Sequence, residues 1–145
     1  MRENVIKIPA KTKFLSDFLD FIPSHKLINK GITGCGGTTV ELESKRNSII
    51  LCPTCNLVES KSAQGYFGVT SKVNKSQIRN YLINETKFKK IIATYDALPR
   101  LMEIIPNYSE YFLLICLFFH IFLIFTDIFF CCQIYLCYTV VYMGE

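Results

Sequence analysis

Two short, unbroken apolar runs constrain the fold of this chain more than any other feature. One lies within residues 47–52 and is ended by Pro53, and the other lies within residues 90–95. Runs of this length, without alternating polar residues, are typical of strands buried on both faces of a parallel sheet. Segments with helical character follow both runs. Because strands alternate with helices, the sequence predicts an α/β fold with an open parallel sheet of three or four strands and flanking helices.

The remaining elements are predicted from shorter patterns. Apolar residues recur at helical spacing over residues 14–22 until Pro23 interrupts them, which predicts an amphipathic helix. Further strands are predicted at 26–29, 66–70 and 111–115, and further helices at 40–46, 75–83 and 96–105. The chain therefore divides into an N-terminal helical segment at 1–24, an α/β domain at 25–115 and a hydrophobic tail at 116–145.

Charge is confined to the part of the chain before the tail. All 16 Lys and Arg and ten of the 12 Asp and Glu lie within residues 1–110, which gives that part a net charge of +6. Such a charge suits a nucleic-acid partner, but it equally suits solubility or an anionic membrane surface. Seven cysteines without an N-terminal secretory signal favour a reducing cytoplasm and free thiols over a disulfide framework.

A glycine cluster at residues 31–39 stands between a predicted strand and a predicted helix, where a phosphate-binding loop would lie. Gly31, Gly36 and Thr38 match the pattern G-x-x-x-x-G-K-[ST], but Gly37 stands at the lysine position. Lys30 is a candidate for the missing cation, and a plain tight turn is the alternative interpretation. The candidate nucleotide-binding residues are Lys30, Gly31, Thr33, Gly34, Cys35, Gly36, Gly37, Thr38 and Thr39.

The order of these segments resembles the first half of a superfamily 2 helicase motor domain, over about 80 residues. Residues 31–39 are similar to motif I, residues 49–57 to motif Ia, and residues 90–101 to the Thr-Tyr-x-x-Leu segment before motif II. The resemblance implies a partial P-loop NTPase fold of the RecA-like kind, with ATP and Mg²⁺ as cofactors and no other small-molecule substrate. It also implies nucleic-acid contacts at Pro53, Thr54 and Thr94.

The resemblance breaks at motif II, where the family has Asp-Glu-x-His at the end of a strand. The strand predicted at 111–115 is followed by Cys116 and Leu117 in place of the two acids, and by Phe119 in place of the histidine. Those side chains cannot hold Mg²⁺ or polarise an attacking water. We therefore expect no catalytic residues, no useful ATP turnover and, at most, weak binding of nucleotide or nucleic acid.

The tail has two interpretations. Its residues are nearly all of the kinds encoded by T-rich codons, so out-of-frame sequence after Ile115 explains a truncated motor domain. Alternatively, residues 111–143 contain a single charge, at Asp127, and are long enough for a transmembrane helix. The protein would then be a single-pass membrane protein with a cytoplasmic N-terminal interaction module. In either case we expect a helical tail.

Other polar residues have simpler readings. Cys52 and Cys55 have the spacing of a zinc knuckle, with Cys35 as a third thiolate, but no fourth ligand is apparent. We predict no metal site there. Glu41 and Glu43 are predicted to be solvated on opposite sides of their helix. A solvated surface is also expected for Lys72, Lys75 and Arg79, and Asp96 is expected to cap the helix that follows it.

Overall fold

The computed structural model describes residues 12–24, 27–29, 36–117 and 136–140. These residues form an α/β fold built around a parallel sheet with helices on both of its faces. The strands are β1 (Leu27–Asn29), β2 (Ser48–Cys52), β3 (Phe67–Val69), β4 (Lys90–Thr94), β5 (Phe112–Leu117) and β6 (Leu136–Val140). The helices are α1 (Gly37–Glu43), α2 (Cys55–Ser62), α3 (Lys75–Asn84) and α4 (Leu98–Ile104). Single 3₁₀ turns lie at Leu15–Asp17, Tyr95–Ala97 and Tyr108–Glu110.

The strand order within the described residues is β1-β6-β5-β2-β4-β3, and every pairing is parallel. The strands β2, β4 and β5 form the centre, with β2 paired in register to both neighbours. The chain moves in one direction across the sheet from β1 to β3 and then reverses through β4, β5 and β6. Parallel crossovers are right-handed, so this reversal requires the helices to change face.

Two hydrophobic clusters, one on each face of the sheet, show that change of face. Val40 of α1 and Val58 of α2 pack with alternate residues of the central strands, such as Ile50 and Ile92. The opposite face is covered by α3 and α4 and is formed by the following residues: Ile49, Leu51, Ile78, Ile91, Leu98, Leu101, Leu113 and Ile115. Strands that are apolar on both faces need cover on both faces, which explains why β2 and β4 read as continuous apolar runs.

The predicted α/β class is confirmed, and the predicted strands and helices of residues 40–115 occur with boundaries shifted by a few residues. The N-terminal prediction was wrong: residues 14–22 contain only the turn at Leu15–Asp17. The backbone N–H of Phe14, the N-cap of this turn, donates to the Asp17 carboxylate at 3.0 Å, a bond that caps the turn but does not extend it. Leu15 and Ile22 are buried, but Phe14, Phe18 and Phe21 remain 42–55% exposed, so little packing is available to extend the turn.

Two expectations about the tail also need correction. The strand β5 continues through Leu117, past the predicted boundary at residue 115, and residues 136–140 are a strand rather than a helix. The strand β6 pairs with β5 and β1, so the sheet has six strands where three or four were predicted. The rest of the tail lies outside the described residues. Within the described part of the chain, no helix is long and apolar enough to cross a membrane.

A buried group of polar side chains closes the sheet at the amino ends of β2 and β4. This charged cluster consists of Glu41, Ser44, Arg46, Ser48 and Lys90. The Glu41 side chain is fully buried and accepts hydrogen bonds from Arg46, Ser44 and Ser48. The Lys90 ammonium donates to the Glu41 carbonyl, to Ser44 and to Ser48 at 2.6–3.1 Å. The prediction of a solvated Glu41 was therefore wrong, whereas Glu43 is exposed as expected.

Lys90 in this cluster loses its proton more easily than a lysine in water. Removing the Lys90 ammonium from water lowers its pKa to about 8, with Arg46 acting in the same direction and Glu41 against it. The Arg46 guanidinium also lies 3.5 Å from the ring centroid of Phe112 and donates to the carbonyl of Ile22. These contacts fasten the end of α1 and the N-terminal segment to the central strands.

Candidate functional site

The opposite, carboxyl edge of the sheet has a point where the chain diverges. The chain leaves β2 towards β4 and β3, but it leaves the neighbouring strand β5 towards β6. In open parallel sheets, ligands bind in the crevice outside the carboxyl ends of the strands at such a reversal. The crevice between β2 and β5 is therefore the place in this fold where a ligand site is expected.

The first turn of α1 lies over that crevice. Gly36 precedes the helix with a φ of +84°, a left-handed conformation that a side chain would strain. Two residues further, the Thr38 hydroxyl contacts the Cys116 thiol of β5, with an oxygen to sulfur distance of 3.8 Å. Thr38 and Cys116 are 78 residues apart in the sequence, and the resemblance assigns them to motifs I and II respectively. The fold brings the two motif positions into contact.

Beneath Thr38, three small polar side chains form a row across neighbouring strands. Cys52 pairs in register with Thr94 of β4. On its other side lies Cys116 of β5, one residue beyond the register pair Leu51 and Ile115. We call Cys116, Cys52 and Thr94 the polar row. Its members are the last or nearly the last residues of the three central strands, on the face covered by α1.

The polar row has one unsatisfied group. The Thr94 side chain is only 4% exposed, and its hydroxyl has no hydrogen-bond partner. A buried hydroxyl without a partner costs about 1–3 kcal/mol, so such groups mark strain or the place of a ligand. The Thr94 hydroxyl adjoins Cys52 at the mouth of the crevice. Its position therefore favours the interpretation that it marks the place of a ligand.

No carboxylate belongs to the polar row, and its Cys52 thiol resists ionisation. The neighbouring Cys116 side chain and burial together raise the pKa of the Cys52 thiol far above its usual range. The Tyr95 hydroxyl donates to the carbonyl of Cys116, and burial raises the pKa of Tyr95. Mg²⁺ takes oxygen ligands, chiefly carboxylates and phosphates, so these residues do not fit the Mg²⁺ that the resemblance implies.

The other predicted site residues are distributed as follows. Lys30, Gly31, Thr33, Gly34 and Cys35 lie outside the described residues. Gly37, Thr38 and Thr39 form the first turn of α1, and Gly36 precedes it.

The predicted nucleic-acid contacts separate into two environments. Pro53 is half-buried, and Thr54 is exposed at the start of α2, where its hydroxyl makes no capping bond. Thr94 is buried, so a direct contact between its side chain and a polynucleotide does not fit the structure. At the basic surface, Lys72 and Lys75 are exposed but paired with Glu59 and Glu103 at 3.5 and 2.5 Å.

The structure also locates Cys52 and Cys55, which have the spacing of a zinc knuckle, and Asp96, which was expected to cap a helix. Cys52 is buried and Cys55 is exposed, so the two sulfurs face different environments. Across the described part of the chain, no group of three or more His, Cys, Asp and Glu side chains is placed to hold a metal ion. Asp96 makes no side-chain cap to α4, whose N-cap is Ala97.

Sequence reasoning missed the association of Cys52 with Cys116. Each cysteine was read within its own segment, the first in a zinc knuckle and the second as a failed motif II residue. The available signal was that both directly follow, or end, a buried apolar run of similar length, because the carboxyl ends of parallel strands meet at one edge.

Comparisons of the chain with family models, with curated proteins and with solved structures give no match. The interpretation of the site therefore depends on its geometry and on the order of its motifs.

Proposed function

We propose that this chain carries the nucleotide-binding part of a helicase-like P-loop domain, which binds nucleotide weakly and lacks the groups that hydrolyse ATP. The observation that carries the proposal is the contact between Thr38 and Cys116. In P-loop NTPases the loop threonine and the motif II acid hold Mg²⁺ together. A fold that joins the corresponding two positions, at the reversal point of a parallel sheet, supports the same use of the crevice.

The side chains at these positions account for the expected loss of catalysis. Thr38 keeps a hydroxyl that can donate to a phosphate oxygen, whereas Cys116 replaces the carboxylate and Gly37 replaces the loop lysine. Without the lysine and the acid, neither the charge on the transferred phosphate nor the Mg²⁺ has its usual partner. Binding without turnover is the activity that these substitutions leave.

Thermal unfolding of the full chain in a reducing buffer tests the nucleotide part. With 5 mM ADP or ATP and a dissociation constant near 1 mM, the midpoint should rise by about 2–4 °C. Thr38→Val should abolish the rise because it removes the hydroxyl at the loop. Thr86→Val is the matched control, since Thr86 is exposed in the loop before β4, at the other edge of the sheet. An equal rise in both variants, or none in the wild type, would overturn the proposal.

Restoring the acid gives a second, independent arm. Cys116→Asp should make the nucleotide-dependent rise larger with Mg²⁺ than with a chelator, whereas the wild type should respond alike in both. Cys55→Asp places the same charge on the exposed first turn of α2 and should leave the Mg²⁺ response unchanged. The wild-type chain should release phosphate from ATP no faster than the Thr38→Val variant does.

Nucleic-acid binding is proposed for the surface around Thr54, at the exposed start of α2. Backbone N–H groups there and an unused hydroxyl suit a phosphate of a single strand. Fluorescence anisotropy with a labelled single-stranded oligonucleotide should show weak binding that decreases as salt rises. Thr54→Ala should weaken it about two- to tenfold, the effect of one hydrogen bond. Equal affinities for Thr54→Ala and Thr86→Ala would contradict this role.

A further inference from the structure

Arg100, in the first turn of α4, carries a charge that the described residues do not neutralise. Its Nη2 donates to the carbonyl of Thr70 at 2.7 Å, which is its only hydrogen bond within the described part of the chain. Its Nε is buried and has no acceptor. None of the ion pairs among the described residues involves Arg100. The guanidinium therefore has one neutral acceptor for its five N–H groups and no counterion.

Arg46 provides a comparison within the same chain, because it is also partly buried. Its guanidinium donates to the Glu41 carboxylate and to the carbonyl of Ile22, and it lies 3.5 Å from the ring centroid of Phe112. The charge of Arg46 is paired, and its Nε has an acceptor at 2.9 Å. An unpaired charge and a buried N–H without an acceptor are both unfavourable, so they indicate that an anionic ligand completes the bonding of Arg100.

A ligand can reach the Arg100 guanidinium. The side chain is only partly buried, and Nε is the one nitrogen of this side chain that is both buried and without a partner. Its Nη1 is therefore accessible. Asp96, four residues earlier, is exposed and forms no ion pair with Arg100. An anion that binds at Nη1 meets a positive charge that no described carboxylate has neutralised.

Arg100 lies at the carboxyl edge of the sheet, on the side away from the nucleotide crevice. Thr70, which it contacts, follows Val69, and Val69 pairs in register with Ala93 of β4. The strand β4 pairs in turn with β2, and Thr54 lies just after β2. Neighbouring strands are about 4.8 Å apart, so the ends of β2 and β3 are about 10 Å apart along this edge. A single strand of nucleic acid can span that distance.

We propose that Arg100 binds a backbone phosphate of single-stranded nucleic acid, and that the strand crosses the carboxyl ends of β2, β4 and β3 from Thr54 to Arg100. The inference rests on the nucleic-acid binding proposed for Thr54 and adds a second contact and a path to it. The planar guanidinium can pair with two phosphate oxygens at once, which a lysine cannot do. The nucleotide crevice lies on the other side of β2, between β2 and β5, so the strand and the nucleotide can be bound together.

Fluorescence anisotropy of the full chain with a labelled single-stranded oligonucleotide, at several salt concentrations, tests the contact. Arg100→Gln should weaken binding about tenfold, the effect of one charge-assisted hydrogen bond. The slope of log affinity against log salt should decrease by about 0.7, because one phosphate contact is lost. Arg79→Gln is the matched control, since it removes the same charge from an exposed position of α3. It should leave the slope unchanged.

The slope separates a lost phosphate contact from a structural change. Equal affinities and slopes for wild type, Arg100→Gln and Arg79→Gln would overturn the role of Arg100, and a weakened Thr54→Ala variant in the same assay would show that the binding proposed for Thr54 survives. Absence of binding by the wild-type chain would overturn both. Binding of a labelled poly-glutamate peptide that depends on Arg100, without binding of the oligonucleotide, would also overturn the proposal, because the anion would then be a carboxylate.

Thermal unfolding verifies that the compared chains are folded. Arg100→Gln should keep the midpoint within about 3 °C of wild type, because the glutamine amide can still donate to the carbonyl of Thr70. If this variant does not fold, Arg100→Lys replaces it. The lysine keeps the charge but loses the paired N–H groups, so the affinity should fall about threefold while the slope stays unchanged. Wild-type affinity in Arg100→Lys would then overturn the proposal.

Discussion

The polar groups at the two ends of the central strands differ in how completely they are hydrogen-bonded. At the amino edge, the charged cluster buries an acid, an arginine and a lysine, and it satisfies them with one another and with two serines. At the carboxyl edge, the polar row has no charge and leaves the Thr94 hydroxyl without a partner. The comparison teaches that polarity at the first edge is structural, whereas the incomplete bonding lies at the second edge, where we propose a site.

The helix α1 connects these two edges. Thr38 in its first turn faces the polar row, and Glu41, three residues later, lies in the charged cluster. A helix of seven residues has little intrinsic stability, so its position depends on such anchors. The charged cluster therefore helps to fix the position of α1 on the sheet, and with it the contact between Thr38 and Cys116.

The largest effect is expected for Glu41→Ala. The change leaves the Lys90 and Arg46 charges without their acid in a buried environment, which should lower the free energy of unfolding by about 3 kcal/mol or more. Glu43→Ala, on the exposed side of the same helix, should change it by less than about 0.5 kcal/mol. Urea denaturation measures both. Similar losses in the two variants would mean that the amino edge is not a buried anchor.

A smaller effect is expected from the titration of Lys90. Its pKa is about 8 in the folded chain and 10.5 when unfolded, so the unfolded chain binds more protons between these values and stability rises with pH there. The total change is on the order of 1–3 kcal/mol. Lys90→Met removes the titrating group and should abolish this rise.

The Lys90 effect is measured as the difference between wild type and Lys90→Met at each pH from 7 to 10.5. The difference is needed because Cys52 and Tyr111 act in the opposite direction. Their pKa values are raised, that of Tyr111 to about 12, so their stabilising contributions are lost as pH rises past the unfolded pKa values of 9 and 10. A difference that stays constant with pH would contradict a lowered pKa of Lys90.

The smallest effects should have opposite signs at the two edges. Ser48→Ala removes a hydroxyl bonded to both Glu41 and Lys90 and should destabilise the chain by about 1–2 kcal/mol. Thr94→Val removes the buried hydroxyl without a partner and should stabilise the chain by about 1 kcal/mol. Thermal and urea unfolding check both. Destabilisation by Thr94→Val would show that its hydroxyl is satisfied in solution, and the contrast between the edges would disappear.

Some of the fold could be predicted because local pattern suffices for it. The apolar runs of β2 and β4 indicate strands that are covered on both faces. Their alternation with helices indicates a parallel sheet. The helix predicted at 75–83 occurs as α3, and the Asn74 side chain caps it by accepting from the Gln77 backbone N–H at 2.9 Å. The helix predicted at 14–22 does not form because its regularly spaced phenylalanines have little surface to pack against.

The sequence by itself determined the α/β class, the central strands and the confinement of nearly all charge to the residues before the hydrophobic tail. These properties follow from periodicity and composition, which act over a few neighbouring residues. Only the tertiary structure decided that Glu41 is buried with Lys90, that β6 adds a strand from the tail, and that Thr38, Cys52, Thr94 and Cys116 meet at one edge. Such contacts join residues up to 78 positions apart, and strand order, which sets them, is not written in any local pattern.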